Sequence, residues 1–105
     1  MRIENIKDHI QFEDEGFGRS VVITSDNSVL FLYTFKPGQA MTEHTHPFTN
    51  EYVTVIEGEA LISVDVESVL VAPQQVVFIP RESVHSIHNH SSKPLIVASF
   101  MTPKP

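Results

Sequence analysis

Short runs of β-branched and aromatic residues, separated by turn-forming residues, restrict most strongly what this 105-residue chain can form. The pattern predicts about eight to ten short strands with a break roughly every 8–12 residues. The runs lie at residues 21–24, 29–35, 41–46, 50–56, 59–66, 69–71, 76–79, 85–90 and 95–101. Strands of this length with almost no helical periodicity are typical of an all-β sandwich or barrel.

Size and composition indicate one globular domain over residues 1–105, with no linker and no internal repeat. The net charge is −6 and no basic run occurs, which argues against a nucleic-acid partner. The chain has no cysteine, so thiolate ligands and disulfides are excluded. It has neither an apolar signal core nor a membrane-length apolar run, and we therefore predict a cytoplasmic protein that does not contact membranes.

The two ends are predicted to lie outside the strand pattern. Ile3, Ile6 and Ile10 recur at helical spacing within residues 1–15, which we interpret as an N-terminal arm. This arm is either a short helix, or a strand or extended segment that packs on the barrel or on a second subunit. Residues 102–105 are predicted to be a frayed tail.

The second predicted strand, residues 29–35, is apolar on both faces and therefore needs cover on both sides. Phe31, Tyr33 and Phe35 share one face, and Leu30 and Leu32 share the other. A second sheet would cover one face, and a second subunit against the other would make the protein a homodimer.

Residues 38–58 contain a cluster of side chains suited to a metal. His44 and His46 are two positions apart, so both imidazoles leave the same face of an extended strand. Glu51 would point the other way on an unbroken strand, but Pro47 and Asn50 favour a turn that returns it to the histidine side. Two imidazoles and a carboxylate suit a divalent transition metal, although a His-x-His pair alone is more often a polar strand face.

The wider spacing resembles the first sequence motif of the cupin superfamily, Gly-x₅-His-x-His-x₄-Glu-x₆-Gly. Its fixed positions are occupied by Gly38, His44, His46, Glu51 and Gly58. The resemblance implies a small single-domain metal-binding cupin, of the conserved-barrel type called cupin 2. The fold expected from it is a double-stranded β-helix, or jelly roll, of short antiparallel strands.

The family's second motif, Gly-x₅-Pro-x-Gly-x₂-His-x₃-Asn, is partly present. Pro80, His85 and Asn89 match it, whereas Gln74 and Glu82 stand where the motif has glycine. The departures concern the turn before His85 and not the histidine itself. The two motifs together span residues 38–89.

By resemblance, the metal ligands are His44, His46, Glu51 and His85, holding one divalent ion: Mn, Fe, Ni, Co, Cu or Zn. Four such ligands leave positions open on a six-coordinate ion for a substrate or oxygen. Each ligating imidazole should donate its other N–H to a partner that fixes its orientation.

Other side chains are weaker candidates. Tyr33 is a candidate acid or substrate contact, because it alone among the candidate pocket-wall aromatics carries a hydroxyl. His88 and His90 would lie on the surface or an interface, because the predicted strand turns them away from His85. Large apolar residues are interpreted as core, with a place in the pocket wall as the alternative: Phe31, Tyr33, Phe35, Phe78, Phe100 and Met101.

Two classes of function follow from the resemblance. The first is a metal-dependent enzyme acting on a small oxygen-bearing molecule, with dioxygenase-, decarboxylase- or isomerase-like chemistry. The second is a non-catalytic module that binds or senses a small molecule. An epimerase-like cupin without a metal is a third possibility, which the complete ligand set disfavours.

Overall fold

The computed structural model describes residues 1–105 and arranges them in two antiparallel sheets. The nine strands are β1 (Gly18–Thr24), β2 (Val29–Phe35), β3 (Ala40–His44), β4 (Asn50–Glu57), β5 (Ala60–Val64), β6 (Glu67–Val71), β7 (Val76–Ile79), β8 (His85–His88) and β9 (Leu95–Thr102). One sheet has the order β1-β2-β9-β4-β7 and the other β3-β8-β5-β6. The predicted all-β architecture is confirmed, and the only helix is one 3₁₀ turn at Ile6–His9. No helix has the length and apolarity to span a bilayer.

The hydrophobic core lies between the two sheets, and 15 buried residues form it. The two-residue period of a strand sends alternate side chains inward. On β4, Val53 and Val55 point into the core while Tyr52 and Ile56 are exposed. Glu51 shares the inward face and is only 1% exposed. A carboxylate therefore stands at the start of β4 on the face that otherwise carries valines.

The N-terminal arm covers the outer face of β2. Ile6, Ile10 and Phe12 pack against a second cluster that includes Leu32 and Ile96. The arm is also held by hydrogen bonds to its backbone carbonyls from side chains of β1 and β2. Leu32 is fully buried within one chain. The cover predicted for the outer face of β2 therefore comes from the chain's own arm, so this face gives no reason to expect a homodimer, and the homodimer stays a prediction.

The outer face of β4, β7 and β9 carries exposed aromatic residues. Tyr52 lies 5.0 Å from Phe78 and 6.2 Å from Phe100, measured between ring centroids. The three side chains are 40–49% exposed. The interpretation of Phe78 and Phe100 as core or pocket wall is therefore wrong, because alternation along β7 and β9 sends them to the outside of the sheet.

Several predicted boundaries differ from the structure. Strand β3 ends at His44 and not at residue 46. The turn between β5 and β6 is formed by Asp65 and Val66, whereas the sequence predicted a strand that continues to residue 66. Asp65 has φ of 53°, a left-handed conformation that aspartate tolerates better than most residues. Thr102 belongs to β9 and pairs with Asn50, so it is not part of a frayed tail.

Candidate metal centre

A β-bulge in β3 brings two of the histidines together. Met41 pairs with Ile87 and His44 pairs with His85, so β3 has one residue more than β8 between these pairs. Such a bulge bends the strand and redirects the side chains beside it. His44 is thereby the last residue of β3, directly opposite the first residue of β8. His46 follows just beyond the end of the strand.

The three histidines predicted as ligands converge. The ligand nitrogens of His44, His46 and His85 all lie within 4.8 Å of one another. The ring centroids of His44 and His85 are 4.1 Å apart, and that of His46 is 5.0 and 5.3 Å from these two. His85 is buried, whereas His44 and His46 are half-buried. Imidazoles from two strands and a loop thus present their nitrogens to one small volume.

Backbone carbonyls orient two of the imidazoles. The Nδ1 of His44 lies 2.9 Å from the carbonyl oxygen of Thr42, and the Nδ1 of His85 lies 3.1 Å from that of Ser83. A carbonyl only accepts, so each Nδ1 carries the proton and donates it. In the neutral ring the lone pair of each Nε2 then faces the cluster, which is the arrangement of a metal-ligating histidine.

Glu51 completes the cluster from the opposite sheet. Its Oε1 lies 3.1 Å from Nε2 of His85 and 3.8 Å from Nε2 of His46. Its Oε2 accepts a hydrogen bond of 2.6 Å from the hydroxyl of Ser99. Ser99 is fully buried on β9 and reaches Glu51 diagonally across the β4–β9 pair. One carboxylate oxygen is therefore fixed by the protein while the other faces the imidazoles.

Three buried atoms in this cluster have no hydrogen-bond partner: Nε2 of His46, Oε1 of Glu51 and Nε2 of His85. The contact between Glu51 and His85 is close but lacks the alignment of a hydrogen bond. Buried polar atoms are rarely left unpaired because each costs about 1–3 kcal/mol. All three can donate an electron pair to a divalent ion, so the residues present fit a metal.

Burial and neighbouring groups shift the pKa values of three side chains in the cluster. Burial alone would raise the pKa of the Glu51 carboxyl, but His85 and the Ser99 hydroxyl outweigh it and hold that pKa below its usual range. Burial would likewise lower the pKa of His85, but the carboxylate of Glu51 raises it overall. Burial lowers the pKa of His46. At neutral pH Glu51 is therefore an anion and His46 a neutral imidazole, as a metal requires, whereas His85 holds a proton more strongly beside the carboxylate and would release it when a metal binds.

The loop before β8 supports His46. The backbone N–H of Glu82 donates to the carbonyl of His46 across 2.8 Å. Glu82 has φ of 72° and Gln74 has φ of 74°, so both occupy the left-handed region that favours glycine. The two departures from the motif therefore keep the backbone conformation of the glycines they replace. They carry strain that a glycine would avoid.

A cavity of about 320 Å³ leads to the histidines between β1 and β3. It is lined by seven residues, including two of the histidines: Phe17, Arg19, Tyr33, Met41, Thr42, His44 and His46. Tyr33, the candidate acid, is 4% exposed and its hydroxyl makes no hydrogen bond within the chain. Burial, together with the charge of Glu51, raises the pKa of Tyr33 far above its ordinary value. The hydroxyl therefore stays protonated and is available as a hydrogen-bond donor.

The other predicted residues lie away from this cluster. His90 is exposed, and its ring stacks on that of the half-buried His88 at 5.5 Å. The amide of Asn89 donates to the carbonyls of Phe35 and Lys93, at the end of β8 opposite His85. Asn89 therefore links the end of β2 to the loop between β8 and β9.

Sequence reasoning missed Ser99 and Arg19. A serine or arginine within a strand carries no local signal, and only the strand register places these two beside Glu51 and Tyr33. The carbonyl partners of the histidines were predicted to exist but could not be named. Each belongs to the residue two positions before its histidine.

Two facing antiparallel sheets with three convergent histidines define a double-stranded β-helix with a candidate metal centre. The family model for the cupin domain (Cupin_2) matches residues 31–101, and the chain belongs to this family. The match includes the histidines at positions 44, 46 and 85. The resemblance seen in the sequence is thereby confirmed.

Individual proteins resemble the chain over much of its length. It is 34% identical over 67 residues to the tetracenomycin polyketide synthase protein TcmJ of Streptomyces glaucescens, covering 64% of this chain and 45% of that one. It is 27% identical over 88 residues to polyketide synthase CurC of Streptomyces cyaneus, covering 81% and 57%. The crystal structure of TT1209 from Thermus thermophilus superposes with a TM-score of 0.96 and 28% identity, covering both chains completely. The chain spans about half the length of the two Streptomyces relatives.

Proposed function

We propose that this cupin binds one divalent transition metal through His44, His46, Glu51 and His85 and acts there on a small oxygen-bearing molecule. The observation that carries the proposal is the convergence of three buried, unpartnered ligand atoms on one volume. Such atoms would be costly in a merely structural site. A metal ion would satisfy all of them.

The ligand types narrow the choice of metal. Three imidazoles and one carboxylate suit Mn, Fe, Co, Ni, Cu or Zn, whereas Mg and Ca prefer sites built from oxygen. A metal bound there would act as a Lewis acid on a substrate oxygen, or would offer a binding position for molecular oxygen.

The chain's own residues would do the remaining work. The carbonyls of Thr42 and Ser83 hold two imidazoles with Nε2 facing the centre. The hydroxyl of Ser99 fixes one oxygen of Glu51 so that the other points at the histidines. The protonated hydroxyl of Tyr33 lies in the wall of the same cavity and would donate a hydrogen bond to a bound oxygen.

The size and lining of the cavity support the proposal of a small substrate. Its volume of about 320 Å³ is at the lower end of the range for small-molecule sites. Aromatic side chains line one wall, and the rings of Phe17 and Tyr33 meet edge to face at 5.8 Å. The names of the two Streptomyces relatives refer to polyketide synthases, which supports a substrate that carries oxygens. Dioxygenase-, decarboxylase- and isomerase-like reactions on such molecules are the chemistries we propose.

Metal content tests the first half of the proposal. Protein purified without chelator or affinity tag should contain about one equivalent of a divalent metal per chain. The triple variant His44→Ala, His46→Ala, His85→Ala should contain none. The matched control is His88→Ala, His90→Ala, which removes two histidines outside the cluster and should keep the metal. Equal metal content in both variants would contradict the assigned ligands.

Turnover tests the second half. The metal-loaded protein should convert at least one member of a panel of β-diketones, flavonols, hydroxyketones and small keto acids. The conversion is measured by oxygen uptake and by analysis of the products. Glu51→Gln should abolish that conversion while His90→Ala preserves it. Binding of panel members without any conversion would favour the alternative, a cupin that binds or senses a small molecule.

A further inference from the structure

Arg19 is the one cationic side chain in the wall of the cavity that leads to the histidines. It lies on the edge strand β1, directly opposite Tyr33 on β2. Its guanidinium carbon is 4.9 Å from the centre of the Phe31 ring. A guanidinium over an aromatic face is held there by a cation–π interaction. Arg19 is exposed, and this contact holds its guanidinium over the Phe31 ring beside the cavity.

No group of the chain neutralises this guanidinium. The carboxylates that form ion pairs do so with Arg2, His9, Lys36 or the clustered histidines, and none pairs with Arg19. This is notable because Asp and Glu number 13 against seven Lys and Arg. The planar fork of arginine matches a carboxylate with two parallel hydrogen bonds.

We propose that Arg19 binds the carboxylate of an acidic ligand whose other oxygens face the histidine cluster. This inference rests on the proposed function and names the substrate class for that site. The ligand is a small hydroxy- or keto-carboxylic acid with a flat apolar body. Its carboxylate meets Arg19 at the β1 edge, and its body lies along Phe17 and Tyr33. Its hydroxyl or keto oxygen lies toward His44 and His46.

The arrangement along β1 and β2 supports this orientation. Arg19 and Tyr33 are cross-strand neighbours on the face that lines the cavity. The positive charge of Arg19 and the negative charge of Glu51 act on the Tyr33 hydroxyl in opposite senses. Arg19 is the cation in the cavity wall, and the carboxylate of Glu51 lies at the histidine cluster, 3.1 Å from Nε2 of His85. An acid with a second oxygen function fits this arrangement, whereas a neutral analogue of the same shape lacks the group that Arg19 binds.

Salicylate and salicylamide form a matched pair of probes, because they share shape and hydroxyl but only salicylate carries a carboxylate. Dissociation constants would be measured by amide chemical-shift titration of ¹⁵N-labelled protein, both metal-free and zinc-loaded. The variants are Arg19→Gln, Arg19→Lys and, as a charge-matched control, Arg81→Gln. Arg81 is exposed and its side chain does not line the cavity.

The native protein should bind salicylate about 10-fold or more tightly than salicylamide, since a charge-assisted hydrogen bond is worth about 1.5–3 kcal/mol. Arg19→Gln should remove this preference, Arg19→Lys should restore only part of it, and Arg81→Gln should keep it. Equal preference in the native protein and Arg19→Gln would overturn the inference, as would native protein that binds both probes alike.

Metal analysis of the same samples separates this inference from the proposed function. Arg19→Gln should keep the full metal content, because Arg19 is not a ligand. A metal-loaded native protein without preference for the carboxylate overturns the role of Arg19 alone. A protein that takes up no metal but still prefers salicylate through Arg19 overturns the metal centre and supports the acid site.

Discussion

Replacing Ser99 by alanine removes one hydroxyl from the protein side of the histidine cluster, and we expect the affinity for a divalent metal to fall. Ser99 donates a 2.6 Å hydrogen bond to Oε2 of Glu51, and both residues are at most 1% exposed. Without that donor, Glu51 loses the contact that fixes its orientation. Its carboxylate also becomes easier to protonate, because the hydrogen bond helps to lower its pKa.

The size of the effect follows from the hydrogen bond. A hydrogen bond to a charged group contributes about 1.5–3 kcal/mol, and each 1.4 kcal/mol is a factor of ten in affinity. Ser99→Ala should therefore weaken metal binding by about 10- to 100-fold, which is also the usual cost of losing a group that orients a ligand. The metal-free variant should lose about 1–3 kcal/mol of unfolding free energy, because Oε2 of Glu51 stays buried without a donor.

Competition with a chromophoric chelator measures the zinc or cobalt affinity of the native protein and its variants. Ser86→Ala is the matched control, because Ser86 is 3% exposed and its hydroxyl makes no hydrogen bond within the chain. It should bind metal as the native protein does. The reasoning is refuted if Ser99→Ala keeps native affinity, or if Ser86→Ala loses as much as Ser99→Ala.

Three further predictions concern strain, packing and charge. Glu82→Gly should raise the unfolding free energy in denaturant titrations by about 0.5–1 kcal/mol, because Glu82 has φ of 72°, which favours glycine. A decrease would show that the side chain of Glu82 stabilises the fold. Gly58→Ala should lower the unfolding free energy by about 2–3 kcal/mol, because Gly58 has φ of 92° and an added Cβ would lie 2.5 Å from the Pro94 carbonyl oxygen. A variant as stable as the native protein would contradict this prediction. The contact with His9 lowers the pKa of Glu4, so it stabilises the fold above pH 4.5 and is lost as pH falls through the lowered pKa. An NMR titration should find that pKa below 4.5 in the native protein and closer to 4.5 in His9→Ala, and identical values would contradict the assignment.

The fold could be predicted because its signals are local. The apolar runs and the turns between them indicate strands, and the two-residue period of a strand accounts for the shared face of Glu51, Val53 and Val55. Alternation does not say which face another element covers. The exposed Phe78 and Phe100 and the arm over Leu32 therefore emerged only from the structure.

The candidate site was predictable to the extent that its residues have fixed spacing. His44, His46 and His85 were identified from the two motifs, and the structure brings their nitrogens together. Ser99 and Arg19 were not identified, because their roles depend on strand register and on which strands form the sheet edges. Strand register is set by packing across the whole sheet and not by the residues next to Ser99 or Arg19 in the sequence.

The most direct test of the metal centre is an anomalous-difference map from crystals of protein that keeps its native metal or is loaded with cobalt. We predict one strong peak per chain, bound by the Nε2 atoms of His44, His46 and His85 and by Oε1 of Glu51. Bond lengths should be about 2.0–2.2 Å. A map without a peak at this cluster, from protein supplied with excess metal, would contradict the proposal and leave the histidines as the lining of a binding pocket.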